Sequence, residues 1–253
     1  MALGTKTLPD QVADYLIAKI FVGELQPGDR LPAERQLAAQ LGVDRTSLRM
    51  ALRHLARLGV LRSVHGSGIT IEDFQDRGGI DFLAAVFSME ELDLGGRFLL
   101  EALEQWSFFM PMMIMSATRR SNTIQIDVAA LLNVLEQQLA VLQNTPDDLA
   151  AVVELELSLH SMLNRDIGST IMRMINNSTH VLRRRIVSML FATIDIAAHV
   201  RFHQQLVARL TQGELSGYAV MDHYRTYLAD LTEPLRRHLQ SLPQTPSLKA
   251  SPL

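Results

Sequence analysis

The stretch Leu31-Pro-Ala-Glu-Arg-Gln-Leu-Ala-Ala-Gln-Leu-Gly-Val-Asp-Arg-Thr-Ser-Leu-Arg-Met-Ala-Leu-Arg-His-Leu-Ala-Arg-Leu-Gly-Val-Leu61 decides how this chain is read. Leu37, Ala38 and Leu41 share one side of a helix that begins near Ala33 and is stopped by Gly42. Beyond Val43, Asp44 is a good N-cap for a further helix that runs to about Leu58 and ends at Gly59. Leu48, Leu52 and Leu55 form its inward face. Arg45, Arg49, Arg53 and Arg57 recur every fourth residue, Arg62 follows, and no acid interrupts them. Like charges at that spacing repel by roughly a few tenths of a kcal/mol per pair, so the stripe is easiest to explain if it faces an anion.

Outward from this core, residues 9–24 carry apolar side chains at steps of three and four, the mark of an amphipathic helix. Pro27-Gly28-Asp29 is a turn, and Arg30-Leu31-Pro32 is short and extended. After the basic helix, Val60 to Val64 and Ile69-Thr70-Ile71 flank the turn His65-Gly66-Ser67-Gly68, which reads as a small hairpin. Helix, helix, turn, helix and hairpin make a winged helix-turn-helix over residues 1–75. Arginines and hydroxyls at the start of its third helix are groups that reach base edges and phosphates in a major groove. A hairpin tip built from a small residue approaches a minor groove closely.

Residues 76–240 differ. Helical spacing covers 78–88, 91–119, 124–143, 147–165, 168–193, 195–212 and 215–240, without a strand pattern. The expected fold class is therefore mainly α: the winged domain, then an all-α effector-binding and dimerisation bundle of about seven helices. The tail, 241–253, carries Pro243, Pro246 and Pro252 among Ser and Thr and is expected to be disordered. The chain has 253 residues, a net charge of −3 and no cysteine. Nucleic-acid contact must then come from a local patch, and disulfides and thiolate metal sites are excluded. The N-terminus lacks the pattern of a signal peptide, and the apolar run Phe108 to Met115 is too short to span a bilayer and contains Pro111. A cytoplasmic protein without membrane contact is expected.

The quoted stretch resembles the DNA-binding signature of the GntR family of bacterial transcription regulators, over roughly residues 8–72. Asp44 stands where Ser or Thr is commoner in that family. The resemblance implies that Arg35, Arg45, Thr46, Ser47, Arg49, His65 and Gly66 contact operator DNA. The all-α second domain is similar to the FadR subfamily, as are Phe74-Gln-Asp-Arg-Gly-Gly-Ile-Asp-Phe-Leu83 and Arg201-Phe-His-Gln-Gln-Leu206. That similarity implies a homodimer on palindromic operator DNA, acting as a repressor whose binding is modulated by a small acidic effector, a long-chain fatty acyl-CoA among the options.

Two effector chemistries stand side by side. Glu156 and His160 are four apart on one helix face, with His203 and His223 on later helices. Imidazoles with one carboxylate suit a single divalent transition metal, Zn, Ni or Mn. Their order resembles the metal-binding pattern of FadR-subfamily domains, with Glu156 where Asp is usual and His199 as a rival ligand. The metal would help to hold a small carboxylate or sugar acid. Alternatively, Trp106, Phe108, Phe109 and the methionines from Met110 to Met115 form a soft apolar segment for an acyl chain, and Arg183, Arg184 and Arg185 would meet phosphates. Arg97, four before Glu101, is a further effector-binding candidate. A metal-dependent hydrolase is the rival class, but no nucleophile, phosphate loop or paired strand-end carboxylates accompany the histidines, so no enzyme is expected.

Overall fold

The computed structural model describes residues 6–64, 68–119, 127–166 and 169–249, and the contacts divide the chain into two compact units. One comprises Met1–Gly95 with Pro243–Leu253, the other Gly96–Leu242.

In the first unit, α1 (Leu8–Phe21) is followed by β1 (Arg30–Leu31), α2 (Glu34–Leu41), α3 (Arg45–Arg57), β2 (Leu61–Val64), β3 (Gly68–Ile71), α4 (Phe74–Arg77), α5 (Ile80–Ser88) and β4 (Leu92–Asp93). The expected order of elements is present, with local causes for each boundary. Gly42 closes α2 in the left-handed region, φ 67°, its N–H returning to the carbonyls of Ala38 and Ala39. Asp44 caps α3 by accepting from the backbone N–H groups of Thr46 and Ser47, both at 2.9 Å. Gly59 combines φ 83° with close packing, since a Cβ there would overlap the carbonyl oxygen of Arg77. The sheet has the order β1-β3-β2, antiparallel throughout, with Leu61 opposite Ile71 and Leu31 opposite Ile69. Leu16, Ile17 and Ile20 of α1 are buried, as are Leu48, Leu52 and Leu55 of α3, and these two helices pack together. The core thus fixes α3 by its apolar side and leaves its arginine side outward.

The unit boundary falls at Gly95, not at residue 75, because α5 packs on α1. The tail also departs from the expected disorder. β5 (Ser247–Leu248) pairs antiparallel with β4, and the Lys249 N–H donates to the Glu91 carbonyl at 2.8 Å. Leu92 and Asp93 are consequently strand, not the start of a helix at residue 91.

The second unit contains α6 (Gly96–Arg119), α7 (Val128–Asn144), α8 (Leu149–Asp166), α9 (Thr170–Ser178), α10 (His180–Phe191), α11 (Ile196–Thr211) and α12 (Tyr218–Ser241). These are seven helices among the described residues, although the expected single helix over 168–193 is two, broken at Thr179. α6 and α12 make the most extensive pairing, and α7, α8 and α11 enclose Leu131, Leu135, Leu159, Met162 and Val200. Among the described residues no single helix is long and apolar enough to cross a membrane.

Candidate functional site

The outward face of α3 carries Arg45, Thr46, Arg49, Arg53 and Arg57, all exposed, while Arg35 is exposed on α2. Arg49 and Ser47 are already positioned by acidic partners. The Arg49 Nε donates to Glu34 on α2 at 2.8 Å. The Ser47 hydroxyl donates to Asp44 at 2.6 Å, and this bond, with the Ser47 and Thr46 backbone N–H groups, holds the Asp44 carboxyl below its ordinary pKa. Asp44 is therefore committed to the cap, and its charge sits at the positive end of the helix dipole. His65 and Gly66 lie outside the described residues, so the expected wing-tip contact has no structural description.

Within the helical unit a buried polar cluster converges from α7, α8, α11 and α12. Glu156 on α8 is 3% exposed. Gln138 on α7 donates to its Oε2 at 3.0 Å. His160 Nε2 lies 3.2 Å and His199 Nε2 3.5 Å from its Oε1, both off the hydrogen-bond axis. Burial alone would raise the pKa of Glu156. The His160 and His199 nitrogens against it and the nearby His203 outweigh that and hold the carboxyl well below its ordinary range. His203 Nε2 faces the Tyr224 hydroxyl at 2.9 Å, and His199 Nδ1 faces that of Tyr227 at 2.7 Å. Burial, and secondarily His199, pull His203 down to about 3, whereas burial drives the Tyr224 hydroxyl well up, keeping it a neutral hydrogen-bonding group.

The ligand atoms of Glu156, His199 and His203 lie within 4.8 Å of one another. His160 Nε2, His199 Nε2 and His203 Nδ1 are buried without a hydrogen-bond partner. Orphaned buried imidazole nitrogens around an ionised carboxylate fit the donor set of a divalent transition metal. Above them opens a cavity of about 840 Å³. Its walls are Met110, Ile114, Leu131, Leu135, Leu206 and Leu210, among others, and Glu156, His160, His203 and Tyr224 supply polar groups.

Of the four residues expected as metal ligands, Glu156, His160 and His203 come together. His223 does not. On α12 the inward positions are Val220, Tyr224 and Leu228, four apart. His223 lies one residue off that stripe, stacked on Phe202 and 3.3 Å from Arg209. His199, the rival candidate, lies beside Glu156 and His203 instead. Arg97 is exposed, pairs with Glu101 at 3.2 Å and is not part of the cavity wall. The arginine triplet is not in that wall either. Arg183 is buried, donating to the Asn176 carbonyl at 2.8 Å and facing His160 Nδ1 at 3.5 Å, and Arg184 pairs with Glu154. In the soft apolar segment Met110 and Ile114 face the cavity, whereas Phe108 and Phe109 are exposed. Gln138, Tyr224 and Tyr227 were not among the expected site residues. An apolar stripe that contains a tyrosine or glutamine at an inward position was the signal available for them.

A winged helix-turn-helix with an outward arginine face defines a DNA-binding domain. Its residues 8–71 match the family described as bacterial regulatory proteins, gntR family. This family and the relatives found are DNA-binding transcription regulators, not enzymes. The HTH-type transcriptional regulator Mce2R of Mycobacterium tuberculosis is 36% identical over 99 residues, which are 38% of this chain and 41% of that protein. The chain thus matches less than half the length of that relative. A fatty acid metabolism regulator protein of Shewanella denitrificans is 29% identical over 185 residues, 73% of this chain and 72% of that one. Among solved structures, Lar, which controls the expression of the Listeria monocytogenes agr system, superposes with a TM-score of 0.57 at 19% identity. It covers 93% of this chain and 98% of its own, a likeness of fold alone.

Proposed function

We propose that the chain is a cytoplasmic, homodimeric transcription repressor that reads a palindromic operator and is released from it by an acidic effector with a long apolar body, a fatty acid or its CoA thioester. The observation that carries the DNA reading is α3, fixed by its apolar side and capped at Asp44 with its arginines outward. The effector reading is supported by the cavity, whose size lies within the range of about 300–1,000 Å³ usual for ligand pockets, and by its aliphatic walls. The similarity to a protein named a fatty acid metabolism regulator points the same way. Glu156, His199 and His203, with His160 beside them, would hold one Zn, Ni or Mn ion, whose positive charge would anchor a carboxylate at the cavity floor.

A second reading, a metal-held small carboxylate or sugar acid, is favoured by the Glu156–His199–His203 grouping but not by walls of leucine, isoleucine and methionine. A gel-shift assay with DNA upstream of the chain's own gene separates the two. Release by oleate or oleoyl-CoA at micromolar concentration is the expected result. Release by short hydroxy acids alone would support the second reading, and no retarded DNA at any salt concentration would overturn both.

A further inference from the structure

Leu48, Ala51, Leu52 and Leu55 define the inward side of α3. At about 100° per residue, the direction opposite to them is occupied by Thr46, Met50, Arg53 and Arg57. Met50 is out of character there. The residue is 55% exposed, an apolar group on a face otherwise made of arginines and a hydroxyl. Arg49, its neighbour on the flank toward α2, is drawn aside by Glu34, and Ser47 is tied to Asp44. The centre of the outward face near the helix start is thus left to Thr46 and Met50, one turn apart.

Resting on the DNA-binding reading above, we propose that Met50 is a specificity-determining residue that reads the 5-methyl group of one thymine in each half-site, with the Thr46 methyl beside it. On the major-groove edge the thymine methyl is the apolar feature that sets T apart from the other bases, and apolar side chains recognise it by contact. An unbranched, polarisable thioether adapts to such a target without demanding a fixed hydrogen-bond geometry. Met50 projects from the second turn of α3, in the N-terminal part that reaches base edges when a recognition helix lies in the groove. Exposed in the free protein, it becomes buried against the methyl in the complex, worth about fourfold in affinity per half-site.

The test uses the full-length protein. A duplex is first selected by the protein from a random DNA pool, then resynthesised with each thymine replaced in turn by deoxyuridine, which lacks only the methyl group. Dissociation constants are measured at one salt concentration for the parent, Met50→Ala and Met50→Leu. At one symmetry-related pair of thymines, the replacement is expected to weaken the parent about fourfold per half-site. It should leave Met50→Ala unchanged, and Met50→Leu should keep most of the parent's dependence. If the parent and Met50→Ala respond alike at every thymine, the assignment is wrong. If no duplex is selected at all, the DNA-binding reading fails and takes this one with it.

Discussion

The Arg49 guanidinium lies 2.8 Å from the Glu34 carboxylate, so α2 aims a side chain of the helix that follows it. Both partners are substantially exposed, and a surface pair of this kind contributes only about 0–1 kcal/mol to stability. Its worth lies in placement. Glu34→Ala is expected to leave the melting temperature nearly unchanged, while Arg49→Ala weakens operator binding. A salt titration then assigns the partner of Arg49. Loss of a phosphate contact makes the log–log slope shallower by about 0.9 for each half-site, whereas loss of a base contact keeps the slope and costs about 1–3 kcal/mol of discrimination against the wrong base.

Asp44 gives a prediction with a defined sign. Hydrogen bonds from the Ser47 hydroxyl and from the N–H groups of Ser47 and Thr46 hold its folded pKa below the ordinary value of 3.8. A group depressed in the fold contributes stability that is complete above the unfolded value and lost as pH falls through the folded one. Asp44→Ala should therefore melt at a lower temperature than the parent at neutral pH, with Asp44→Ser recovering part of the loss. The difference between parent and Asp44→Ala should shrink below about pH 4. A difference that stays constant down to pH 2 would show that the charged cap contributes nothing.

The winged domain was legible because its determinants are local. Gly42 and Gly59 stop helices where the backbone needs positive φ, Asp44 begins one, and leucine spacing orients each face. The buried cluster was legible only in part. Four-residue spacing put Glu156 and His160 on one face of α8, but spacing within one helix says nothing of how the next is rotated against it. His223 and Tyr224 differ by one residue and about 100°, and the buried stripe Val220–Tyr224–Leu228 decides which of them faces His203. The β4–β5 pairing brings residues near 92 and 248 together, a contact that no short-range pattern announces. At Thr179 the chain breaks between α9 and α10 without a glycine or proline to mark it.

Metal content separates the histidines. Protein purified without chelators should carry about one Zn, Ni or Mn ion per chain by mass spectrometry of the metal. His203→Ala, His199→Ala and Glu156→Gln should each lose it, and His223→Ala should retain it, since His223 is engaged with Phe202 and Arg209 instead. Re-adding metal at one hundred times its dissociation constant should stabilise the parent by about 2.7 kcal/mol. Equal metal in the parent and His203→Ala would remove the grouping from consideration as a metal centre, and loss in His223→Ala would return that residue to it.

In metal-free protein, His203 predicts how stability responds to acid. Burial, reinforced by His199, lowers its pKa to about 3 in the fold, against an ordinary value of 6.5. Between these two values the unfolded chain holds a proton at this position that the folded chain does not. Stability must then rise with pH across that window, by up to about 1.4 kcal/mol per pH unit from this one group. Above pH 6.5 the contribution is complete, and it is lost progressively as pH falls toward 3. Urea unfolding of chelator-treated protein at pH 7.5, 6.5, 5.5 and 4.5 should show this decline. His203→Gln keeps a hydrogen-bonding group beside the Tyr224 hydroxyl but cannot titrate, so its profile should be flatter than the parent's by that amount. Parallel profiles would mean that His203 takes up its proton in the folded protein as readily as in the unfolded chain, which a side chain closed in by Tyr224, His199 and the cavity floor should not do.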